Sequence, residues 1–113
     1  MQREFKLFLE DMLESMNLIN EYVNNQTFEQ FKKNRMAVDA VVRNLEIIGE
    51  AANKIPTEIK DEYPDLPWRQ MYGLRNMVIH EYFGIDYEII WEIITQKLPL
   101  NKQTLTQIIN NIN

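Results

Sequence analysis

The residues MYGLRNMVIHEYFG, at positions 71–84, have the apolar spacing of an amphipathic helix, and the rest of the chain can be arranged around that helix. Pro67 and Trp68 predict where it begins, and Gly84 predicts where it ends. On a helical wheel its apolar side chains form one continuous arc, with Arg75 in the middle. A guanidinium among apolar side chains needs a partner charge, a ligand or a wet cleft. Arg75 is therefore a candidate functional residue.

A second, polar row of residues lies at the edge of this arc: Arg69, Gly73, Asn76 and His80. His80 is the only histidine of the chain. Asn76 precedes it by four residues and shares its helical face, so the amide could orient the imidazole or bind a phosphate. Gly73 leaves room for another group to approach closely. Tyr82 follows Arg75 by seven residues and would lie on the same face as the arginine.

Two long amphipathic helices are predicted before this stretch. Residues 2–24 carry apolar side chains at alternating spacings of four and three, which predicts the first of them. Residues 27–30 have the form of a capping box and predict the start of a short helix. The second long helix is predicted over about residues 34–54, and Pro56 would end it.

The helix over residues 34–54 has a broader apolar surface than two-layer packing needs, so one side could face a second chain. Small residues near its end would allow another helix to cross it closely: Gly49, Ala51 and Ala52. After this helix, Thr57 is a candidate N-cap of a short helix.

The C-terminal part of the chain also predicts helices. Asp86 is a candidate N-cap of a helix that would end near Leu98 and Pro99. Apolar residues recur at helical spacing over residues 105–112 and predict a last helix. No segment alternates between apolar and polar residues as a half-buried strand would. The sequence therefore predicts an all-α fold, a bundle of four or five main helices, with residues 1–113 as a single domain.

Composition excludes several kinds of site and favours a cytoplasmic location. The chain has 113 residues, no cysteine and one histidine. These counts exclude disulfides, a cysteine nucleophile and, within one chain, a metal site built mainly from imidazoles. No apolar run approaches the roughly 20 residues that span a membrane, and the N-terminus does not have the pattern of a signal peptide. The net charge of −5 argues against broad nonspecific binding to nucleic acid but allows a local basic cleft.

The residues of this predicted amphipathic helix, the motif helix (residues 68–84), suit RNA cleavage without a metal ion. A histidine can take or give a proton near neutral pH. Arg75 can hold a phosphate with two hydrogen bonds and stabilise charge in the transition state. The nucleophile would be the 2′-hydroxyl of the RNA itself. Since the reaction benefits from both an acid and a base, a homodimer would help by placing two copies of His80 and of Arg75 around one phosphate.

Simpler roles remain open for the same side chains. Arg75 could pair with a buried acid such as Glu50 or Asp39. A lone histidine near a helix end is more often a cap or a surface residue. Tyr82 could be a core aromatic residue with a polar tip. An arginine five residues before a histidine, as in Arg75 and His80 (R-x4-H), arises often by chance. This spacing alone therefore does not decide between these roles and catalysis.

The residues RNMVIHEY, from Arg75 to Tyr82, match the R-x4-H-x-Y motif of HepT toxins, a branch of the HEPN superfamily. Residues 37–56 resemble the long helix of that family, which ends in a Gly-Glu-Ala element. Further segments resemble its Pro-Trp entry into the motif helix and the helix that follows the motif: residues 66–76 and 84–99. The similarity covers about the first hundred residues.

The resemblance implies an all-α HEPN bundle that forms a homodimer and cleaves RNA without a metal ion or another cofactor. It implies Arg75 and His80 as the catalytic pair, with Asn76 in a supporting position. The usual partner of the family is an MNT-type nucleotidyltransferase antitoxin, which can transfer AMP from ATP to the motif tyrosine, here Tyr82. The added phosphate would place negative charge where RNA phosphate should bind.

Two other classes of function remain as alternatives. The first is a non-catalytic helical subunit that binds nucleotide or substrate for a nucleotidyltransferase. The second is a structural dimer module, in which side chains fill the cleft and Arg75 is paired internally. Specific cleavage of RNA in the presence of EDTA would separate a ribonuclease from both.

Overall fold

A computed structural model describes residues 2–79 and 86–112, with the side chains of residues 4–75 and 86–112. Every regular element in these ranges is a helix, which confirms the predicted all-α fold class. In chain order the elements are α1 (Gln2–Val23), α2 (Phe28–Lys33), α3 (Arg35–Asn53), α4 (Thr57–Glu62), α5 (Trp68–Ile79), α6 (Tyr87–Glu92), a π-helical segment (Ile93–Lys97) and α7 (Leu98–Ile112). None of the described helices is both long enough and apolar enough to cross a bilayer.

The core lies where α3 packs against both α1 and α5, and α7 packs against α1. The apolar stripe predicted for α1 is buried from one end to the other: Phe5, Leu9, Met12, Met16, Ile19 and Val23. Val41, Leu45 and Ile48 of α3 are fully buried, as is Leu105 of α7. Burial of one such side chain contributes about 1.5–3 kcal/mol. The spacing of apolar residues therefore determines which helix faces meet.

Local signals set the helix ends in the N-terminal half. Asn25 follows α1 in the left-handed region, with a φ of 63°, a conformation that asparagine tolerates better than most residues. Thr27 and Gln30 form the predicted capping box, in which each side chain accepts a hydrogen bond from the other residue's backbone N–H. The Asn34 side chain caps α3 by accepting from the Ala37 N–H. Short polar side chains therefore separate the first three helices.

The prediction of Thr57 as an N-cap is wrong. Pro56 occupies the N-cap position, with φ −60° and ψ 145°, and Thr57 is the first residue of α4. The proline ring fixes φ, and the extended ψ that follows places the turn into the helix at the proline itself. At Pro56, which lies within the described residues, no side-chain hydrogen bond caps α4. Asp86, by contrast, caps α6 as predicted, since its carboxylate accepts from the Ile89 N–H.

The predicted helix end near Leu98 and Pro99 is also wrong, because the helical path continues through the π-helical segment into α7. Leu98 donates its N–H to the Ile93 carbonyl, five residues earlier, which is the hydrogen bond of a π turn. Pro99 has no N–H, and in a regular α-helix its ring clashes with the carbonyl four residues earlier. The wider turn before Pro99 accommodates the proline within one helical path. The last helix predicted over residues 105–112 is the second half of α7.

Candidate functional site

The motif helix α5 begins where the sequence predicted, at Trp68. The Trp68 side chain is buried, and its indole Nε1 donates a hydrogen bond of 2.9 Å to the Tyr63 carbonyl. Leu66, two residues before the helix, is also buried. These contacts fix the first turn of α5 to the chain that leaves α4. The end predicted at Gly84 lies outside the described residues.

Helix α5 crosses α3 at Gly49, where the two backbones are in contact. A β-carbon on Gly49 would lie 2.7 Å from both the Cβ and the backbone N of Arg75. Any side chain at this position would force the helices apart, so the packing requires glycine. The predicted close crossing at small residues is confirmed, and Ala51 and Ala52 are buried on the same helix. The crossing holds the backbone of Arg75 against α3.

The Arg75 side chain meets Glu50, the residue that follows Gly49. Its Nε donates a hydrogen bond to Oε1 of Glu50, and the two groups form an ion pair. The Arg75 and Glu50 side chains are 36% and 44% exposed, so the pair lies at the surface. The hydrogen bond and the charge of Glu50 raise the pKa of Arg75, and Tyr72 adds a smaller effect in the same direction. Arg75 is thus a charged guanidinium that has both a partner and access to water.

The structure decides between the two acids considered as partners of Arg75. Asp39 is the wrong partner, because it pairs with Arg35 one turn away at 3.9 Å, where both side chains are exposed. Glu50 is the partner, although it is partly exposed rather than buried. Ion pairs between accessible side chains contribute little to stability. Since the Arg75 side chain keeps 36% of its surface exposed beside Glu50, a ligand can still reach it.

Gly73 of the polar row lines a groove between α5, the π-helical segment and the first turn of α7, with a volume of about 270 Å³. A β-carbon on Gly73 would meet no described atom within 4 Å, so the room predicted at this glycine is present. Gln70 and Leu74 line the groove from α5, and Lys97 and Asn101 line it from the facing side. The groove therefore brings amide groups and one positive charge next to Gly73.

Two predicted site residues, His80 and Tyr82, lie outside the described residues. Asn76 lies in α5, but its side chain is also outside the described part. The roles of these three residues stay predictions from the sequence. Among the described side chains, those of residues 4–75 and 86–112, no three histidines, cysteines, aspartates or glutamates come together as a candidate metal site. Of the predicted site, the structure places Arg75 and the glycine at position 73.

Tyr72 is a neighbour of the Arg75 guanidinium that was not among the site residues predicted from the sequence. It precedes Arg75 by three residues, a spacing that places two side chains next to each other on a helix, so a usable signal was present. Lys97 had no such signal. Its position across from Gly73 depends on how the helical path after α6 packs against α5.

Comparison with known proteins identifies the family. A sequence model of the family described as "Ribonuclease HepT-like" matches residues 12–108. The chain belongs to the HepT-like ribonuclease family. The matched range runs from α1 into α7 and includes the positions of Arg75, His80 and Tyr82. The resemblance to HepT proteins inferred from the motif helix is therefore confirmed.

Several HepT-like relatives align with most of the chain. A Methanocaldococcus jannaschii protein named "Putative RNase MJ0127" is 41% identical over 111 residues, which cover 98% of this chain and 92% of the relative. "Putative RNase MJ1380" from the same organism is 43% identical over 102 residues, or 90% and 94% of the two chains. A Thermococcus cleftensis protein named "Probable ribonuclease HepT" is 40% identical over 99 residues, or 88% and 90%. No solved structure matches the chain at a significant level.

Proposed function

We propose that this HepT-like protein is the toxin of a toxin–antitoxin pair and an endoribonuclease that needs no metal ion. The observation that carries the proposal is the Arg75 guanidinium, which is accessible and held at a helix crossing in a chain of a ribonuclease family. Relatives whose names call them ribonucleases support RNA as the substrate. Arg75 and His80 are assigned as the catalytic residues, with Asn76 in support.

The reaction is an internal attack by the RNA on its own backbone. The 2′-oxygen forms a bond to the adjacent phosphorus while the bond from phosphorus to the 5′-oxygen breaks, which leaves a 2′,3′-cyclic phosphate and a free 5′-hydroxyl. One proton leaves the 2′-hydroxyl and one reaches the 5′-oxygen, and His80 is suited to such transfers near neutral pH. Arg75 would donate two hydrogen bonds to the non-bridging oxygens, where negative charge grows in the transition state.

A homodimer would supply the second proton-transfer group. Each chain has one histidine, so a cleft shared by two copies would hold one imidazole to accept a proton and another to donate one. Met36, at the start of α3, is 83% exposed, so its apolar side chain is available for contact with a second chain.

Regulation would act on Tyr82. An MNT-type nucleotidyltransferase antitoxin would catalyse attack of the tyrosine oxygen on the α-phosphorus of ATP, with pyrophosphate as the leaving group and AMP attached to the toxin. The seven-residue spacing from Arg75 supports an effect on the active site, because residues seven apart share a helical face. The new phosphate would then compete with RNA phosphate for the guanidinium.

The ribonuclease proposal is tested by incubating the purified protein with RNA in EDTA. We expect cleavage to persist at the rate found with added Mg²⁺ and to leave 2′,3′-cyclic phosphate ends. RNA that stays intact while the protein binds its nucleotidyltransferase tightly would contradict the proposal and favour the non-catalytic subunit. Cleavage that requires added Mg²⁺ would overturn the metal-independent mechanism.

The regulatory proposal predicts a mass change after co-expression with the neighbouring nucleotidyltransferase. Intact-mass spectrometry should show a gain of one or more AMP units, and Tyr82→Phe should abolish it because the accepting oxygen is lost. Tyr87→Phe is the matched control, since Tyr87 is a partly buried tyrosine at the start of α6, and it should keep the full gain. An unchanged mass gain in Tyr82→Phe would place the modification elsewhere.

A further inference from the structure

The contact between Glu50 and Arg75 places a carboxylate where it can hold the guanidinium in one position. Gly49 admits the Arg75 backbone against α3, so the crossing also brings the next residue of α3, Glu50, beside the guanidinium. An arginine side chain that is 36% exposed would otherwise sample many rotamers. Two features, a fixed backbone and a hydrogen bond at Nε, therefore hold this long side chain at one place.

We propose that Glu50 is a positioning residue, which orients the Arg75 guanidinium to stabilise the charge that grows on the RNA phosphate in the transition state. This role rests on the proposed ribonuclease function. Glu50 binds Nε, which carries one of the five N–H donors of an arginine. That bond leaves the four N–H groups of the two terminal nitrogens, and their outer edge can donate two parallel hydrogen bonds to a phosphate. The carboxylate thus holds one side of the planar fork and leaves the opposite edge to the substrate.

If Glu50 had only a structural role, its removal would change folding stability and leave the kinetic constants unchanged. Both side chains are partly exposed, and ion pairs of that kind add little to folding stability. The negative charge of Glu50 also opposes the approach of RNA phosphate, so its removal should not weaken RNA binding. A positioning role therefore predicts a split between the kinetic constants, in which kcat falls while KM stays the same or decreases.

Steady-state kinetics of RNA cleavage tests this split. Glu50→Ala is expected to lower kcat about 10-fold or more, because a misplaced catalytic group loses a large part of its effect. Glu50→Gln should recover part of the rate, since its amide oxygen can still accept the Nε hydrogen bond. Glu46→Ala removes the same charge one turn earlier on α3 and should leave kcat unchanged. In an Arg75→Ala background, Glu50→Ala should cause no further loss, because the two residues act as one unit.

A measurement on the guanidinium itself separates this inference from the ribonuclease proposal. In ¹H–¹⁵N spectra the Arg75 Nε–H should exchange slowly and show restricted motion, and both properties should be lost in Glu50→Ala and kept in Glu46→Ala. If the wild type cleaves no RNA, the ribonuclease proposal fails, while this spectrum still decides whether Glu50 holds Arg75. The positioning role is overturned by a mobile, fast-exchanging Nε–H in the wild type, by wild-type kcat in Glu50→Ala, or by an equal loss in the Arg75→Ala background.

Discussion

Arg75→Ala is expected to lower the rate of RNA cleavage by about 100- to 1,000-fold, the usual cost of removing one group that stabilises transition-state charge. The fold should remain intact, because the Arg75 side chain is partly exposed and the Glu50 carboxylate left behind keeps access to water. The cleavage rate of Arg75→Lys should lie between those of the wild type and Arg75→Ala, since an ammonium keeps the charge but cannot donate the planar pair of hydrogen bonds.

Single-turnover cleavage of one defined RNA measures this effect. Arg35→Ala is the matched control, because Arg35 is also an arginine in an accessible ion pair, with Asp39 one turn away. Its cleavage rate should stay within about twofold of the wild type, as expected for a surface pair away from the site. Circular dichroism of each variant shows whether the helices persist. A well-folded Arg75→Ala protein that cleaves at the wild-type rate would remove Arg75 from the mechanism.

Substitution of glycine by alanine should lower the stability of the protein at Gly49 in α3 and raise it at Gly73 in α5. Gly49→Ala places a β-carbon 2.7 Å from the Arg75 backbone N, which cannot move without shifting α5. Overpacking of this kind costs about 1–3 kcal/mol, and the better helix propensity of alanine returns up to about 1 kcal/mol. A net loss of up to about 2 kcal/mol in the free energy of unfolding is expected.

Gly73→Ala provides the contrast within the same packed pair of helices. Its β-carbon would meet no described atom within 4 Å, so only the gain in helix propensity remains, about 0.5–1 kcal/mol. Urea denaturation of the two variants and the wild type gives the free energies of unfolding directly. Equal stability of the two variants, or a more stable Gly49→Ala, would show that α3 and α5 do not cross at Gly49.

Apolar periodicity and helix caps were enough to predict most of the helices. The stripe from Phe5 to Val23 is buried as its spacing predicts, and the caps at Thr27 and Asp86 form because they depend only on residues within one turn. The continuation of the helical path through Pro99 could not be predicted from apolar periodicity and caps. A proline locally favours a helix end, whereas burial of Ile94 within the π-helical segment and of Leu98 directly after it is a property of the whole fold.

In the candidate site, too, features within one helix could be predicted from the sequence, and a contact between helices could not. The sequence identified Arg75 as out of place in an apolar arc, and Gly49 as a position for a close crossing, because both are anomalies within a single helix. The partner of Arg75 stayed open between Glu50 and Asp39, since that choice depends on where two helices cross. Once Gly49 admits the Arg75 backbone, Glu50 becomes the neighbour of Arg75, and Asp39, about three turns earlier on α3, does not.

The most direct test of RNA cleavage through the motif helix compares the wild type with His80→Ala in EDTA, at equal concentrations and with one end-labelled RNA. The wild type should produce fragments with 2′,3′-cyclic phosphate ends, and His80→Ala should produce almost none, because the proton-transfer group is missing. The same fragments formed by His80→Ala at the wild-type rate would contradict the assignment of the active site.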